Sequence, residues 1–251
     1  MTYLTIITGA SRGLGAAIAV QLLNPQAHLI CISRSGNKRL PALAAQSGAT
    51  LESWSLDLAD GARAAHRLGQ WLAGQSAYRF SHATLINTAG MIAAVVPLRC
   101  AEPADLARTL RVGLEAPMQL SAAFLGATRS WPGVRKILNI SSGLGRRGMA
   151  ASSAYCAAKA GMDNFTRCVA LEEAAVPNGV KVCSLAPGVI DTSMQDQLRA
   201  ADATQFPDHA VFENLHADGQ LSSVAEAARQ VLAFLAHPDF GTNPIGDVRN
   251  A

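Results

Sequence analysis

A tyrosine and a lysine four positions apart are the residues of this chain best suited to proton chemistry. Tyr155 and Lys159 fall in a stretch with a helical pattern, and four residues is close to one helical turn, so their side chains share a face. A free phenol has a pKa of roughly 10, so a Tyr that acts near neutral pH needs a positive charge beside it. We expect the ammonium of Lys159 to lower the pKa of Tyr155, although pairs with this spacing also arise by chance in long helices.

A hydroxyl group precedes this helix at the end of a predicted strand. The apolar stretch 134–140 reads as a strand, and Ser141 and Ser142 follow it, with Ser142 thirteen residues before Tyr155. A loop at the end of a strand can direct a hydroxyl to the point that the Tyr reaches. Serine after a strand is also a common turn or capping residue. Ser142 is therefore a candidate third catalytic residue, with a purely local role as the alternative.

The start of the chain has a glycine-rich turn between a predicted strand, residues 3–8, and a helical stretch, residues 16–23. Glycines at such a junction allow a tight turn, let a pyrophosphate approach the backbone and place it at the positive end of the helix. The spacing is T-G-x-x-x-G-x-G. It predicts a dinucleotide site that includes Gly9, Ser11, Arg12, Gly13, Leu14 and Gly15.

The end of the second predicted strand, residues 28–33, indicates which dinucleotide binds. NAD-binding folds carry an acidic residue here for the ribose 2′-hydroxyl, but this chain has Ser33 and Arg34. Arg12 and Arg34 can reach a 2′-phosphate, and Ser11 and Ser33 can donate hydrogen bonds to it. We therefore predict NADP(H) as the cofactor.

The next two strands add candidate cofactor contacts at the same edge of the sheet. A strand over 50–58 carries Asp57 and Leu58 at its end, where Asp57 could bind the adenine amino group or cap the following helix, residues 60–73. The strand 82–87 ends in Asn87, followed by Ala89 and Gly90, which leave room for a ribose. Asn87 could equally be a brace between strands four and one.

Composition and length favour one α/β domain spanning residues 1–251. The chain is 49% hydrophobic and 16% charged, and its net charge of +3 is too small to indicate nucleic acid binding. Its longest apolar run is too short and interrupted to span a bilayer, and we expect no signal peptide. No C-x-x-C pair occurs, which favours reduced, mostly buried thiols in a cytoplasmic protein, with Cys156 beside Tyr155 as the exception: Cys31, Cys100, Cys156, Cys168 and Cys183.

Taken together, these motifs resemble those of the short-chain dehydrogenases/reductases, in the expected order along nearly the whole chain. The matching stretches are residues 8–15, Asp57, residues 87–90, Ser142, the Tyr155 and Lys159 pair, and residues 186–192. Residues 155–173 and 185–195 are similar to the sepiapterin reductase and benzil reductase group. The resemblance implies a Rossmann-type, doubly wound parallel sheet of about seven strands with helices on both faces.

The resemblance also implies an activity, the NADPH-dependent reduction of a small ketone or diketone to the alcohol. Tyr155 would exchange a proton with the substrate oxygen, Lys159 would hold the nicotinamide ribose, and Ser142 would hydrogen-bond the carbonyl. The cofactor carboxamide would lie against Ile190 and Thr192, after Pro187 and Gly188. A homodimer or homotetramer is expected from helices that carry small residues.

One position departs from the family pattern. In the predicted helix 104–124, Gly113 stands where the family has an Asn that links the Lys to solvent through water. The loss puts the usual proton relay in doubt, although water could occupy the space. It also supports an alternative function, an NADP-binding regulatory or redox-sensing protein with weak activity. A serine hydrolase built on Ser142 is excluded, because the chain lacks a nucleophile elbow.

The segment 191–221 is predicted to be a substrate lid, because it is long, polar and follows the cofactor site. His209 and His216 within it are interpreted as surface or packing residues, since no second ligand stands at metal spacing. Ser223 begins a capping box for a helix over 224–236, and a short last strand is expected near 243–248. Asp247 is one residue out of register with the pterin anchor of sepiapterin reductases, and we interpret it as a surface residue.

Overall fold

The computed structural model describes residues 2–250 and contains, within them, a single sheet of seven parallel strands. The predicted fold class is confirmed. The spatial order is β3-β2-β1-β4-β5-β6-β7. The strands are β1 Thr2–Thr8, β2 Ala27–Ser33, β3 Thr50–Ser55, β4 Phe80–Asn87, β5 Val134–Ile140, β6 Lys181–Ala186 and β7 Ile245–Asp247.

Parallel strands need long crossover connections, and helices supply them here. Within residues 2–250 the α-helices are α1 Gly13–Gln21, α2 Leu40–Ser47, α3 Gly61–Ala73, α4 Pro103–Leu110, α5 Ala116–Ala127, α6 Ser153–Ala174, α7 Ser193–Arg199, α8 His209–Ala217 and α9 Val224–Ala236. One face of the sheet packs against α3, α5 and α6, and the other against α1, α2 and α9. Helices cover both faces, so a central strand such as β2 is buried along almost its whole length.

The strand order reverses between β1 and β4, the first strands of the two halves of the sheet. Loops leaving the carboxyl ends of these neighbours run to opposite faces and open a crevice between them, where ligands bind in sheets of this kind. The topology therefore brings the glycine-rich turn after β1 next to the loops after β4, β5 and β6.

Two predicted elements differ from the structure. The helix expected over 104–124 is interrupted by a π-helical segment, Arg111–Glu115, which separates α4 from α5 and contains Gly113. The segment 191–221, which the sequence predicts only as a polar lid, contains two helices, α7 and α8. The capping residue of α9 is as predicted, since the Ser223 hydroxyl accepts a hydrogen bond from the Glu226 N–H at 3.1 Å.

The cysteines are less uniformly buried than expected. Cys31 and Cys183 are buried, and burial raises the pKa of each thiol to about 12. Cys100 and Cys168 are exposed, and Cys156 is partly buried. Among residues 2–250, no helix has the length and apolar character needed to cross a bilayer.

Candidate active site

A cavity of about 890 Å³ opens at the carboxyl edge of the sheet, between the glycine-rich turn and the helices α7 and α8. All but one of the residues that the sequence predicts to form the site line its wall. They are Gly9, Ser11, Arg12, Gly13, Leu14, Gly15, Ser33, Arg34, Asp57, Leu58, Ala89, Gly90, Ser142, Tyr155, Lys159, Pro187, Gly188, Ile190 and Thr192.

The glycine-rich turn has the geometry that a bound pyrophosphate requires. Gly9 and Gly13 have positive φ angles of 70° and 58°, which favour glycine. A Cβ on Gly15 would lie 2.5 Å from the carbonyl oxygen of Gly9, so helix α1 could not begin this close to β1 with any other residue. These features fit a dinucleotide whose phosphates lie against the turn and the amino end of α1.

The corner of the cavity beside β2 is rich in hydrogen-bond donors. The exposed side chains of Arg12 and Arg34 border it, together with Ser11 and Ser33. Ser33 is not a free donor as it stands, because its hydroxyl donates to the Ser35 carbonyl at 2.7 Å. It would have to turn to donate to a phosphate, whereas the two guanidinium groups need no such change.

Asp57 lies beyond β3 rather than within it, and the predicted capping role is wrong. Its carboxylate accepts from the Ala59 N–H at 3.0 Å and from Arg108 at 2.8 Å. These interactions lower the pKa of Asp57, led by the hydrogen bond from Ala59. The cap of α3 is Asp60, which accepts from the Arg63 N–H at 3.2 Å. Asp57 keeps its place on the cavity wall, with Arg108 as a partner that the sequence did not reveal.

Asn87 is the predicted cofactor residue that does not line the cavity. Its side chain is buried, and it donates to the Asn139 side chain at 2.8 Å. The residue is therefore a brace, but between β4 and β5 rather than between β4 and β1, because Asn87 and Asn139 are register partners. The backbone that follows, from Thr88 to Gly90, does line the cavity.

Ser142, Tyr155 and Lys159 meet on one wall of the cavity. Ser142 has the local role that the sequence offered as an alternative, since its Oγ accepts from the Leu144 N–H at 3.1 Å and caps a short 3₁₀ turn. Tyr155 and Lys159 lie one turn apart on α6, and both are buried. The Lys159 Nζ donates to the Ile140 carbonyl at 2.7 Å, which fixes the ammonium at the end of β5.

Burial dominates the ionisation of this pair. Desolvation raises the pKa of Tyr155 to about 12, and the hydrogen bond with Ser142 acts in the opposite direction. Desolvation also lowers the pKa of Lys159 to about 8. The expectation that Lys159 lowers the pKa of Tyr155 is therefore wrong for the free protein, in which the ammonium lies 5.6 Å from the phenol ring centroid and bonds to backbone.

The segment 191–221 and its neighbours form an apolar wall beside Tyr155. Phe206 and Phe212 stack with ring centroids 5.6 Å apart and pack in one cluster with Tyr155. His209 packs edge-on against Phe206, with ring centroids 6.4 Å apart, as predicted, and its Nε2 lies 2.8 Å from the Arg199 carbonyl oxygen. Within residues 2–250, no group of three or more His, Cys, Asp or Glu is placed to hold a metal ion.

Asp247 is not the surface residue that the sequence suggested. It is 9% exposed, and its carboxylate accepts two hydrogen bonds from the Arg249 guanidinium, at 2.9 and 2.6 Å. Arg249 in turn lines the cavity, as do Ser35, Arg108 and Arg147. No motif marked the three arginines, because only the folded chain brings α4, the loop after β5 and the last turn to this edge.

Gly113 packs directly against the helix that carries Lys159. A Cβ at this position would lie 3.2 Å from the Cβ of Ala158, and an alanine side chain cannot rotate away. We expect Gly113→Asn to lower the free energy of unfolding by about 1 to 3 kcal/mol, the usual cost of overpacking. Chemical denaturation of the variant and of the parent measures this difference.

The matched control for Gly113→Asn is the same substitution in an Ala158→Gly background. Removing the Ala158 methyl should recover most of the lost stability, once the cost of Ala158→Gly alone is subtracted. An Asn that is tolerated equally well in both backgrounds would show that this contact does not exclude a side chain at position 113.

The fold and the cavity define a class: a doubly wound α/β protein with a large cavity at its switch point, bordered by a glycine-rich turn. Within that class, residues 4–203 match the family model described as short chain dehydrogenase. The chain belongs to the short-chain dehydrogenases/reductases and is an oxidoreductase of that family, whose members use nicotinamide cofactors.

Individual relatives are similar over almost their whole length. A benzil reductase ((S)-benzoin forming) of Bacillus cereus is 37% identical over 97% of this chain and 96% of its own. The sepiapterin reductase of Rattus norvegicus is 28% identical over 94% of this chain and 92% of its own. The crystal structure of a protein from Agrobacterium tumefaciens with bound NADP matches this chain with a TM-score of 0.79 and 27% identity. The match covers 98% of this chain and 94% of that one.

Proposed function

We propose that this protein reduces a small ketone or diketone to the alcohol with NADPH. The observation that carries the proposal is the convergence of Ser142, Tyr155 and Lys159 on one wall of a cavity whose far end holds Arg12 and Arg34. A phosphorylated dinucleotide that spans this cavity would present its reactive end to the three side chains. The likeness to a benzil reductase and to a sepiapterin reductase supports the same reaction.

Bound NADPH would supply the hydride. The carbonyl oxygen of the substrate would accept hydrogen bonds from Ser142 and Tyr155, which stabilise the negative charge that develops on it. Tyr155, un-ionised at neutral pH because its pKa is about 12, would then give its proton to that oxygen. Lys159 would orient the ribose with the donors it does not use for Ile140, while Ile190 and Thr192 would hold the carboxamide.

The apolar wall favours an uncharged substrate with bulky apolar groups. Leu198, Phe212 and Leu215 line the cavity, and the cluster they belong to also contains Tyr155. Aromatic and aliphatic side chains in this position suit a ketone with aryl or alkyl substituents, as in a benzil-like diketone. We assign the segment 191–221 as the lid that closes over such a substrate.

A substrate panel tests the function. NADPH oxidation is followed by absorbance with vicinal diketones, simple ketones and sepiapterin, and the alcohol is identified by chiral chromatography. We expect turnover with at least one diketone and a lower kcat/KM with NADH. Tight NADPH binding without turnover of any carbonyl would favour the alternative, an NADP-binding regulatory or redox-sensing protein.

The activity should fall as the pH rises through about 8, the pKa of Lys159 in the folded protein. Its pKa lies below the ordinary value, so the ammonium is present below pH 8 and is lost above it, well before Tyr155 ionises. The pH dependence of kcat/KM for the diketone measures this alkaline limb. A profile that stays flat until the Tyr155 pKa would contradict the assignment.

We also propose a cytoplasmic homodimer or homotetramer. The outer faces of α4, α5 and α6 expose apolar side chains that a second subunit could cover, namely Leu110, Met118 and Leu171. Light scattering with size-exclusion chromatography gives the mass. A monomer at micromolar concentration would overturn this assembly without affecting the proposed chemistry.

A further inference from the structure

A buried carboxylate lies one helical turn beyond Lys159. Asp163 on α6 is 2% exposed, so its charge must be compensated by the groups around it. Its Oδ1 accepts from the Ser184 hydroxyl on β6 at 2.6 Å, and its Oδ2 lies 3.5 Å from the Arg146 Nε. Nothing in the proposed reaction uses Asp163 directly, yet the chain keeps a charged group inside the protein at this point.

Arg146 connects this carboxylate to the loop that carries Ser142. The arginine comes four residues after Ser142, and its guanidinium donates to the Gly246 carbonyl at 2.6 Å. Gly145 lies between Ser142 and Arg146 in the chain. A Cβ on Gly145 would lie 2.9 Å from the Lys159 carbonyl oxygen and 3.2 Å from the Asp163 Oδ2. The loop therefore packs directly on the turn of α6 that joins Lys159 to Asp163.

We propose that Asp163 is a positioning residue for the reaction, which holds the Ser142 loop on α6 through Arg146 and keeps the Lys159 ammonium charged inside the cavity wall. The proposal rests on the proposed function, since it assigns Asp163 a role in that reaction. Asp163 itself touches neither substrate nor cofactor.

The charges around Lys159 and Asp163 determine whether loss of the Asp163 charge raises or lowers the pKa of Lys159. Burial lowers the pKa of Lys159, and the negative charge of Asp163 raises it, so loss of that charge lowers the pKa further. The neighbours Tyr155 and Cys183 are neutral near pH 8, because the pKa of each is raised to about 12. Asp247 is charged but bound to Arg249, and Arg146 lies 3.6 Å from it.

The test is the pH dependence of kcat/KM for diketone reduction by Asp163→Asn. The amide keeps the shape and can still accept from Ser184, but it has no charge. We expect the alkaline limb to move to lower pH by about one unit, with activity recovering on the acid side. Glu172→Gln is the matched control, because it removes an exposed carboxylate from the same helix and should leave the limb in place.

A second variant, Arg146→Met, tests the same idea in the opposite direction. Removing the positive charge that faces Asp163 should move the alkaline limb to higher pH, even as the looser Ser142 loop lowers the maximal rate. It also decides the matter if Asp163→Asn does not fold, which circular dichroism would show.

Equal losses at every pH in both variants would overturn the proposal, because they would indicate a structural role alone. That outcome differs from failure of the proposed function, in which the parent protein itself reduces no carbonyl with NADPH.

Discussion

Tyr155→Phe is expected to lower kcat/KM for diketone reduction by about 10³-fold, within the range for loss of a general acid. The phenyl ring preserves the packing of Tyr155 in the apolar cluster with Phe206 and Phe212. The variant lacks only the hydroxyl that would stabilise the developing oxyanion and deliver its proton. Ser142 remains, so some activity should persist. Steady-state rates at saturating NADPH measure the loss.

The control for this variant is Tyr78→Phe. Tyr78 is 84% exposed and does not line the cavity, so its hydroxyl should be dispensable. Both variants should bind NADPH with the affinity of the parent and unfold at the same temperature. A Tyr155→Phe protein that reduces the diketone at the parental rate would show that another group protonates the substrate.

The second large effect concerns the choice of cofactor. Replacing both Arg12 and Arg34 by Gln should weaken NADPH binding by about 100-fold or more, because each charge-assisted hydrogen bond contributes about 1.5 to 3 kcal/mol. NADH has no 2′-phosphate for these groups to bind, so its affinity should change little. Fluorescence titration of the reduced cofactors gives both dissociation constants.

Arg39→Gln provides the matched control for the double variant. Arg39 is an exposed arginine five residues after Arg34 and does not line the cavity. Its replacement lowers the net charge but leaves unchanged the corner of the cavity that is proposed to bind the 2′-phosphate. The NADPH affinity should therefore stay near the parental value. Equal weakening of NADPH and NADH by the double variant would mean that the two arginines do not read the 2′-phosphate.

The strands and the glycine-rich turn could be predicted because their causes are local. The stretch 134–140 forms β5 with the predicted bounds, and its apolar residues Ile137, Leu138 and Ile140 are buried, as expected for a strand that helices cover on both faces. The turn after β1 was equally readable, because positive φ at Gly9 and Gly13 favours glycine. The family resemblance rested on these features and is confirmed by the match over residues 4–203.

Other features depended on contacts between distant parts of the chain. The partner of Asn87 follows from the register between β4 and β5, and Asp247 lies at the end of β7 beside β6, with Arg146 3.6 Å from its carboxylate. The π-helical interruption around Gly113 lies where the helix packs closely on Ala158. None of these pairings leaves a pattern along the sequence.

The pKa of Tyr155 likewise could not be predicted from the sequence. The spacing of Tyr155 and Lys159 correctly places them on one face, but their pKa values depend on how much water the folded protein removes from each group. Burial opposes the charged form of both residues and is the largest cause of both shifts; it raises the pKa of Tyr155 and lowers that of Lys159. The sequence could therefore indicate that Tyr155 and Lys159 lie together, but not the pKa values that burial gives them.

The most direct test of hydride delivery to a carbonyl beside Tyr155 is a single-turnover reaction with NADPH that carries deuterium in place of both hydrogens at the nicotinamide C4 position. Mass spectrometry of the alcohol locates the label. With saturating cofactor, the parent protein should place deuterium on the new carbinol carbon, and Tyr155→Phe should form almost no labelled alcohol in the same time. An unlabelled alcohol, or equal labelling by both proteins, would contradict the mechanism proposed for this site.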